Sequence, residues 1–225
     1  MKAFWESVKK FRVLWLIVLI FSGLIYFANE MHLSRQTIVY YESLDVVVAT
    51  VQGKDVTLRD FAVYVANQEA SVQDQALAYD MDNTKKYWNI RTDLGFISHV
   101  ARNEAMSMAI HDELFYQLYD DLQLDFTEFE LSQIQNEADD FWQDLVDEGK
   151  DQKLGISKED VYQTMYKIAC SQKAQLVYAG MLAVDYSDLD YASEEFLDFL
   201  GDYEYEVKDS VLNRLNFGEI TLVHK

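Results

Sequence analysis

The chain has 225 residues, enough for one domain of ordinary size and an appendage. Half of them are hydrophobic, with 15 Tyr, 13 Phe and 4 Trp, which excludes general disorder; the lack of proline and only 8 Gly favour long helices over a many-turned sandwich. A formal charge of −20 would repel phosphate backbones and argues against nucleic acid as a partner.

The charge is uneven. Residues 1–28 hold Lys2, Lys9, Lys10 and Arg12 against Glu6 alone, so the rest carries a balance of −23. The basic tail, residues 1–12, precedes VLWLIVLIFSGLIYFAN at 13–29, which has no charged side chain. As a helix this stretch spans about 26 Å, close to the thickness of a hydrocarbon core. Trp15, Tyr26 and Phe27 suit the interfaces, and Arg12 can snorkel. The basic flank puts the amino terminus in the cytoplasm and everything beyond residue 29 outside. A cleaved leader is the competing reading, but it would put Tyr26 or Phe21 at a position that needs a small residue. We read a single-pass membrane anchor, followed by a tether at 30–44.

Val46–Val51 is short and β-branched, Gln52-Gly53-Lys54 supplies a turn, and Asp55-Val56 adds a second short strand. Thr57 then caps a helix, with Asp60 completing a capping box. From Leu58 to about Tyr79, Leu58, Phe61, Val65, Val72, Ala76 and Leu77 keep helical spacing. Asp80 to Leu94, polar and aromatic, reads as a loop. A long helix is expected from Phe96 to about Leu124, with Ile97, Val100, Ala101, Ala105, Met108, Phe115, Leu118 and Leu122 on one face.

Thr127 and Glu130 form the next capping box, and Leu131, Ile134, Ala138, Phe141, Trp142 and Leu145 face the core. Gly149 to Gly155 reads as a charged connection. Ser157 and Asp160 open a further helix with Val161, Met165, Ile168, Ala169, Cys170, Leu176 and Val177 inside. An acidic, irregular stretch from Asp185 to Glu195 leads to a short helical piece, Glu194 to Leu200. The tail from Gly218, GEITLVHK, reads as a strand. A lone strand leaves its backbone groups unpaired, so Val46–Val51 is expected to pair with Ile220–Val223. The fold class is therefore mainly α, with a small β element joining the two ends of the domain.

The run VVATVQGKDVTLRDF at 47–61, followed by this helical series, resembles the amino-terminal chaperone domain of the SurA/PrsA/PpiD family of extracytoplasmic foldases. HDELFYQLYDDLQLDFTEFELSQIQNEADDFW at 111–142 and LGISKEDVYQTMYKIACSQKAQ at 154–175 are similar to its helical middle. YEVKDSVLNRLNFGEITLV at 205–223 resembles the segment that returns to the chaperone core. The resemblance covers 45–225, apart from the place where such foldases often insert a parvulin prolyl isomerase. Only about Val184 to Asp202 stands there, far below the length of a domain, and the parvulin glycine-rich signature and paired histidines have no match. The resemblance implies a chaperone module without the isomerase and without catalytic activity.

Other chemistry finds little support. His32, His99, His111 and His224 are scattered, and HDELF lacks the second histidine of a zinc helix, so His111 reads as a surface or partly buried helix residue. DMDN at 80–83 and DYSDLD at 185–190 lack the Gly and distal Glu of a calcium loop and read as solvated acidic loops. Cys170 alone can form no internal disulfide and reads as a small buried hydrophobe. No nucleotide, metal or other cofactor motif is present.

The expected function is a membrane-anchored, ATP-independent holdase for unfolded or newly exported polypeptides. The alternative is a structural or assembly partner in an envelope or translocon complex. Phe115, Tyr119, Phe141, Trp142, Met165 and Tyr166 read as core, while Phe129, Tyr162, Tyr166 and Tyr178 are the candidate client-facing residues.

Overall fold

A computed structural model of the chain describes residues 37–224. The basic tail, the anchor read at 13–29 and residues 30–36 of the tether lie outside the described residues. The compact unit begins at Ile38, so the last residues of the segment read as tether belong to the body. Among the described residues, no helix is long and apolar enough to cross a membrane.

The elements run β1 (Val47–Val51), β2 (Lys54–Thr57), α1 (Leu58–Tyr79), α2 (Thr84–Trp88), β3 (Arg91–Thr92), β4 (Gly95–Phe96), α3 (Ile97–Asp121), α4 (Glu128–Asp147), α5 (Lys150–Leu154), α6 (Lys158–Leu182), α7 (Glu194–Leu200), β5 (Tyr205–Val207) and α8 (Asp209–Leu212). Short 3₁₀ turns stand at Tyr40–Glu42 and Tyr186–Leu189. The mainly helical class with a small sheet is as the sequence predicts.

The three expected capping boxes are all formed. Thr57, Thr127 and Ser157 each accept from the third helical N–H while the carboxylates of Asp60, Glu130 and Asp160 take the cap N–H in return. Each box satisfies two of the backbone donors that a helix start leaves orphaned. The long helices α3 and α6 lie against each other; α1 covers α3 on one side, and α4 covers α6 on another. Phe61, Leu58, Phe115, Leu114, Leu154 and Phe196 are the large fully buried side chains of one continuous core.

The sheet order is β2-β1-β5, antiparallel throughout. A two-residue turn closes the β1–β2 hairpin, with Gln52 at φ 49° and Gly53 at φ 75°. Both angles are positive, the conformation whose twist matches a tight hairpin. The distant partner of β1 is not the one expected. Ala49, Thr50 and Val51 pair with Val207, Glu206 and Tyr205, and residues 218–224 form no strand. The physical reason lies on α1. The Glu69 carboxylate accepts from the N–H groups of Gly218, Ile220 and Thr221 at 2.5, 3.2 and 2.7 Å and from the Thr221 hydroxyl at 2.5 Å. Backbone donors wrapped around one carboxylate cannot also build a ladder.

The ends of the unit still meet. Ile38 N–H donates to the Arg214 carbonyl at 3.0 Å, and Lys153 Nζ donates to the Thr221 carbonyl at 2.6 Å.

Two connections are more ordered than the sequence predicts. The stretch read as a loop at 80–94 contains α2 and β3, which pairs with β4 just beyond it. Asn83 caps α2, and buried Trp88 donates from Nε1 to Gln73 at 3.0 Å, so one aromatic anchor fixes five otherwise polar residues. The charged connection at 149–155 is helix α5, framed by left-handed Gly149 and Gly155. Three expected core residues are exposed, Leu131 on α4 among them. On α6 the buried line runs through Cys170, Ala174 and Ala179, leaving Leu176 outside; Leu77 stands one residue off buried Ala76.

Candidate functional site

A cleft of about 310 Å³ opens between α3, α7 and β5. Its floor is apolar: Met106 and Ile110 from α3 and Phe196 and Leu200 from α7 are all buried. At its mouth Leu197 is 56% and Tyr205 46% exposed. Asn103, Ser107 and Asp209 add a polar margin. An apolar hollow with exposed apolar lips and few polar groups suits a chain segment or small apolar ligand.

The α7 wall is held by a buried polar network. Ser193 caps α7, receiving the Phe196 N–H at 3.0 Å while its hydroxyl donates to the Asp188 carbonyl at 2.6 Å. His111 Nε2 bonds the Leu189 carbonyl at 3.0 Å, and Gln175 Nε2 donates to the Tyr186 carbonyl and to Asp190 at 3.0 and 3.1 Å. Phe196 stacks on Phe115 with ring centroids 6.1 Å apart. Three helices, α3, α6 and α7, are thereby tied through the acidic stretch 185–190, which works as a set of caps and acceptors.

His111 is therefore buried, more deeply than the surface or partly buried position that the sequence suggests. Its Nδ1 bonds Asp112 Oδ1 at 2.9 Å, and the same oxygen accepts from the Ser171 hydroxyl at 2.7 Å. Asp112 Oδ2 accepts from the Tyr64 hydroxyl at 3.0 Å. Serine, histidine and aspartate here do not form a nucleophilic triad. The serine donates to the carboxylate instead of the imidazole, and the imidazole's other nitrogen is spent on a carbonyl. Ser171 is fully buried, so no substrate reaches it.

The four candidate client-facing residues do not line this cleft. Phe129, at the start of α4, is 71% exposed. Tyr162 and Tyr166 lie 6.3 Å apart on α6, partly buried, with Tyr166 edge-on to Phe126 at 5.7 Å. Tyr178 packs against Phe199 at 5.1 Å and Phe115 at 6.3 Å. Tyr166 and Tyr178 stand about 18 Å apart along the helix axis, so they belong to different clusters. Phe115 and Tyr119 are core, as expected, and Phe141, Trp142, Met165 and Tyr166 are partly buried against it.

A second hollow of about 420 Å³ lies between α4 and α6, near Tyr186. Phe126, Ile134 and exposed Leu176 line it beside Glu130, Glu137 and Lys173. Lys173 Nζ donates to Glu130 at 2.8 Å and sits 4.8 Å from the Phe126 ring centre. The Lys173 hydrogen bond, with the capping bonds of Thr127, pushes the Glu130 carboxyl down to about 2. This hollow is more charged and more open than the first.

Cys170 is buried, and desolvation raises its thiol to about 11 despite a hydrogen bond from Tyr166. Among the described residues, no group of three or more His, Cys, Asp or Glu side chains is placed to hold a metal ion.

The cleft residues escaped sequence reasoning for a reason. Met106 and Ile110 carry ordinary core spacing on α3, and only the return of α7 and β5 from far along the chain makes them a floor. The one local signal was the aromatic and leucine content of Glu194 to Leu200. No protein-family model matches the chain, and no curated protein or solved structure matches it.

Proposed function

We propose that this chain is an ATP-independent holdase that grips unfolded polypeptide segments transiently, anchored in a bacterial membrane by residues 13–29. The observation that carries the reading is the α3–α7–β5 cleft, an apolar floor with exposed Leu197 and Tyr205 at its lips on a strongly acidic chain. Water-exposed apolar surface is costly in a monomer unless something uses it. A net charge far from zero keeps such a surface from self-association. Anchoring would hold the cleft near chains emerging at the membrane and raise their effective concentration. The resemblance at 47–61 and 205–223 to foldase chaperone domains agrees with this role.

The test is suppression of aggregation of a chemically unfolded client by the full chain in neutral-lipid nanodiscs. The wild type is expected to suppress aggregation and Leu197→Glu to lose most of that effect. Absence of suppression by the wild type overturns the reading.

A second reading, a fixed partner in an envelope complex, is favoured by a different observation. Leu176, Met181 and Leu182 are all exposed near the end of α6. One stoichiometric partner in a membrane pull-down, lost in Met181→Glu, would support it; many substoichiometric clients support the holdase.

A further inference from the structure

We propose that the outer edge of β5 receives an extended polypeptide of alternating apolar and basic residues as an added strand, its apolar side chains entering the cleft. The inference deepens the client-holding reading and rests on it.

The backbone geometry comes first. Gln52 N–H donates to the Glu204 carbonyl at 2.8 Å, and Lys208 N–H donates to the Val48 carbonyl at 2.9 Å. In an antiparallel ladder, residues alternate between facing the partner and facing away. Glu204, Glu206 and Lys208 therefore turn their backbone groups to β1, and Tyr205 and Val207 turn theirs outward. β5 is an edge of the sheet, and among the described residues no backbone group meets Tyr205 or Val207 on that side. These two residues also line the cleft. Unspent donors and acceptors thus border an apolar hollow, the combination that strand addition uses: main-chain bonds for grip, alternate side chains for selectivity.

Charge selects the occupant. Residues 185–209 supply α7, β5 and more than half of the cleft lining, and they contain ten carboxylates against Lys208 alone. An acidic segment would meet like charge on approach, whereas a segment with basic residues between its apolar ones is attracted. The strand has only three residues, so the grip is brief, as a holder that must release its client requires.

The experiment uses the full chain in neutral-lipid nanodiscs and a fluorescent peptide of alternating valine and lysine, read by anisotropy. Three further peptides serve as arms: alternating valine and glutamate, and the valine–lysine peptide N-methylated at every valine or at every lysine. An added strand turns only one set of alternate amides toward β5. One methylated peptide is therefore expected to bind about tenfold more weakly, the loss of roughly one net hydrogen bond, and the other unchanged. Tyr205→Pro removes an outward N–H without touching the β1 ladder, and it is expected to weaken the parent peptide by a similar factor.

Equal behaviour of the two methylated peptides overturns strand addition. Equal binding of the valine–glutamate peptide overturns the charge selection. Aggregation suppression in the same preparation separates the two levels. If suppression persists while the methylated peptides are indistinguishable, client holding stands and strand addition falls. If suppression is absent, both fall.

Discussion

Glu69 and Thr221 stand 152 residues apart in the chain and meet inside the protein, the carboxylate accepting the Thr221 N–H at 2.7 Å and its hydroxyl at 2.5 Å. Glu69→Gln keeps the shape but turns an amide NH₂ toward one set of donors. Leaving a buried donor unsatisfied costs about 1–3 kcal/mol. Chemical denaturation is expected to show a loss of about 2 kcal/mol, with faster hydrogen exchange at Thr221.

The same site carries a pH signature. Burial raises the Glu69 carboxyl, its hydrogen bonds offsetting this only in part, so the folded chain holds the proton more tightly than the unfolded one. Its stabilising contribution is present below the ordinary carboxylate range and lost as pH rises through the raised value. Stability measured against pH is expected to fall less steeply across that window in Glu69→Gln than in the wild type.

Asp112 gathers donors from Tyr64, His111 and Ser171. Asp112→Ala leaves all three without their acceptor. Removing one member of such a buried set costs about 3–5 kcal/mol. The expected result is a drop of that order in unfolding free energy, with peptide binding weakened in parallel because His111 also holds Leu189 beside the cleft wall.

Cys170 should be inert while the chain is folded. Its thiol is raised to about 11 by burial, so thiolate is scarce at neutral pH and the sulfur is inaccessible. Labelling by a thiol reagent at pH 8 is expected to follow the unfolding rate, with no dependence on reagent concentration once the reagent is in excess. The raised value also means that this site's stability is present below the ordinary thiol range and is lost as pH rises toward 11.

Gly155 lies against the first described segment. It adopts φ +72°, and an added Cβ would come within 2.6 Å of Tyr41 Cβ and 2.9 Å of Tyr41 Cα. Backbone cannot retreat as a flexible side chain does. Gly155→Ala combines that clash with a conformation glycine alone adopts freely, and a loss of about 2 kcal/mol or more is expected in denaturation. Exchange at Ile38 should rise with it, since that N–H ties the segment to Arg214.

What could be read from the sequence was local. Thr57 with Asp60, Thr127 with Glu130 and Ser157 with Asp160 are contiguous signals, and helical spacing placed α1, α3, α4 and α6 within a few residues. The Val–Gln–Gly–Lys turn placed the hairpin. The failures all turned on distant partners. GEITLVHK has the composition of a strand, yet Glu69 takes its donors first. Tyr205–Val207 is too short to announce itself, and only its fit beside Ala49 and Val51 makes it a strand. Trp88 converts a polar stretch into α2 through Gln73 and by lying under Gly218, whose added Cβ would reach within 2.7 Å of the indole.

The candidate site was less legible still. Phe129, Tyr162, Tyr166 and Tyr178 are aromatics that suit a client-facing surface by type, but three of them pack ring against ring. The full burial of His111 is not legible locally because its partners, Leu189 and Asp112, include a carbonyl 78 residues away. A cleft is a property of what fails to touch, and helical spacing records only what does.

The β1 strand has a neighbour it makes at once and another it must wait for. Glu204, which faces Gln52, is 152 residues downstream. At ribosomal speed, about 5–20 residues per second, that delay is on the order of ten seconds. For that interval the newborn hairpin shows a bare apolar flank, Val47–Val51, to whatever is nearby. The finished molecule keeps an open edge on β5, but one set among carboxylates that the newborn strand itself lacks.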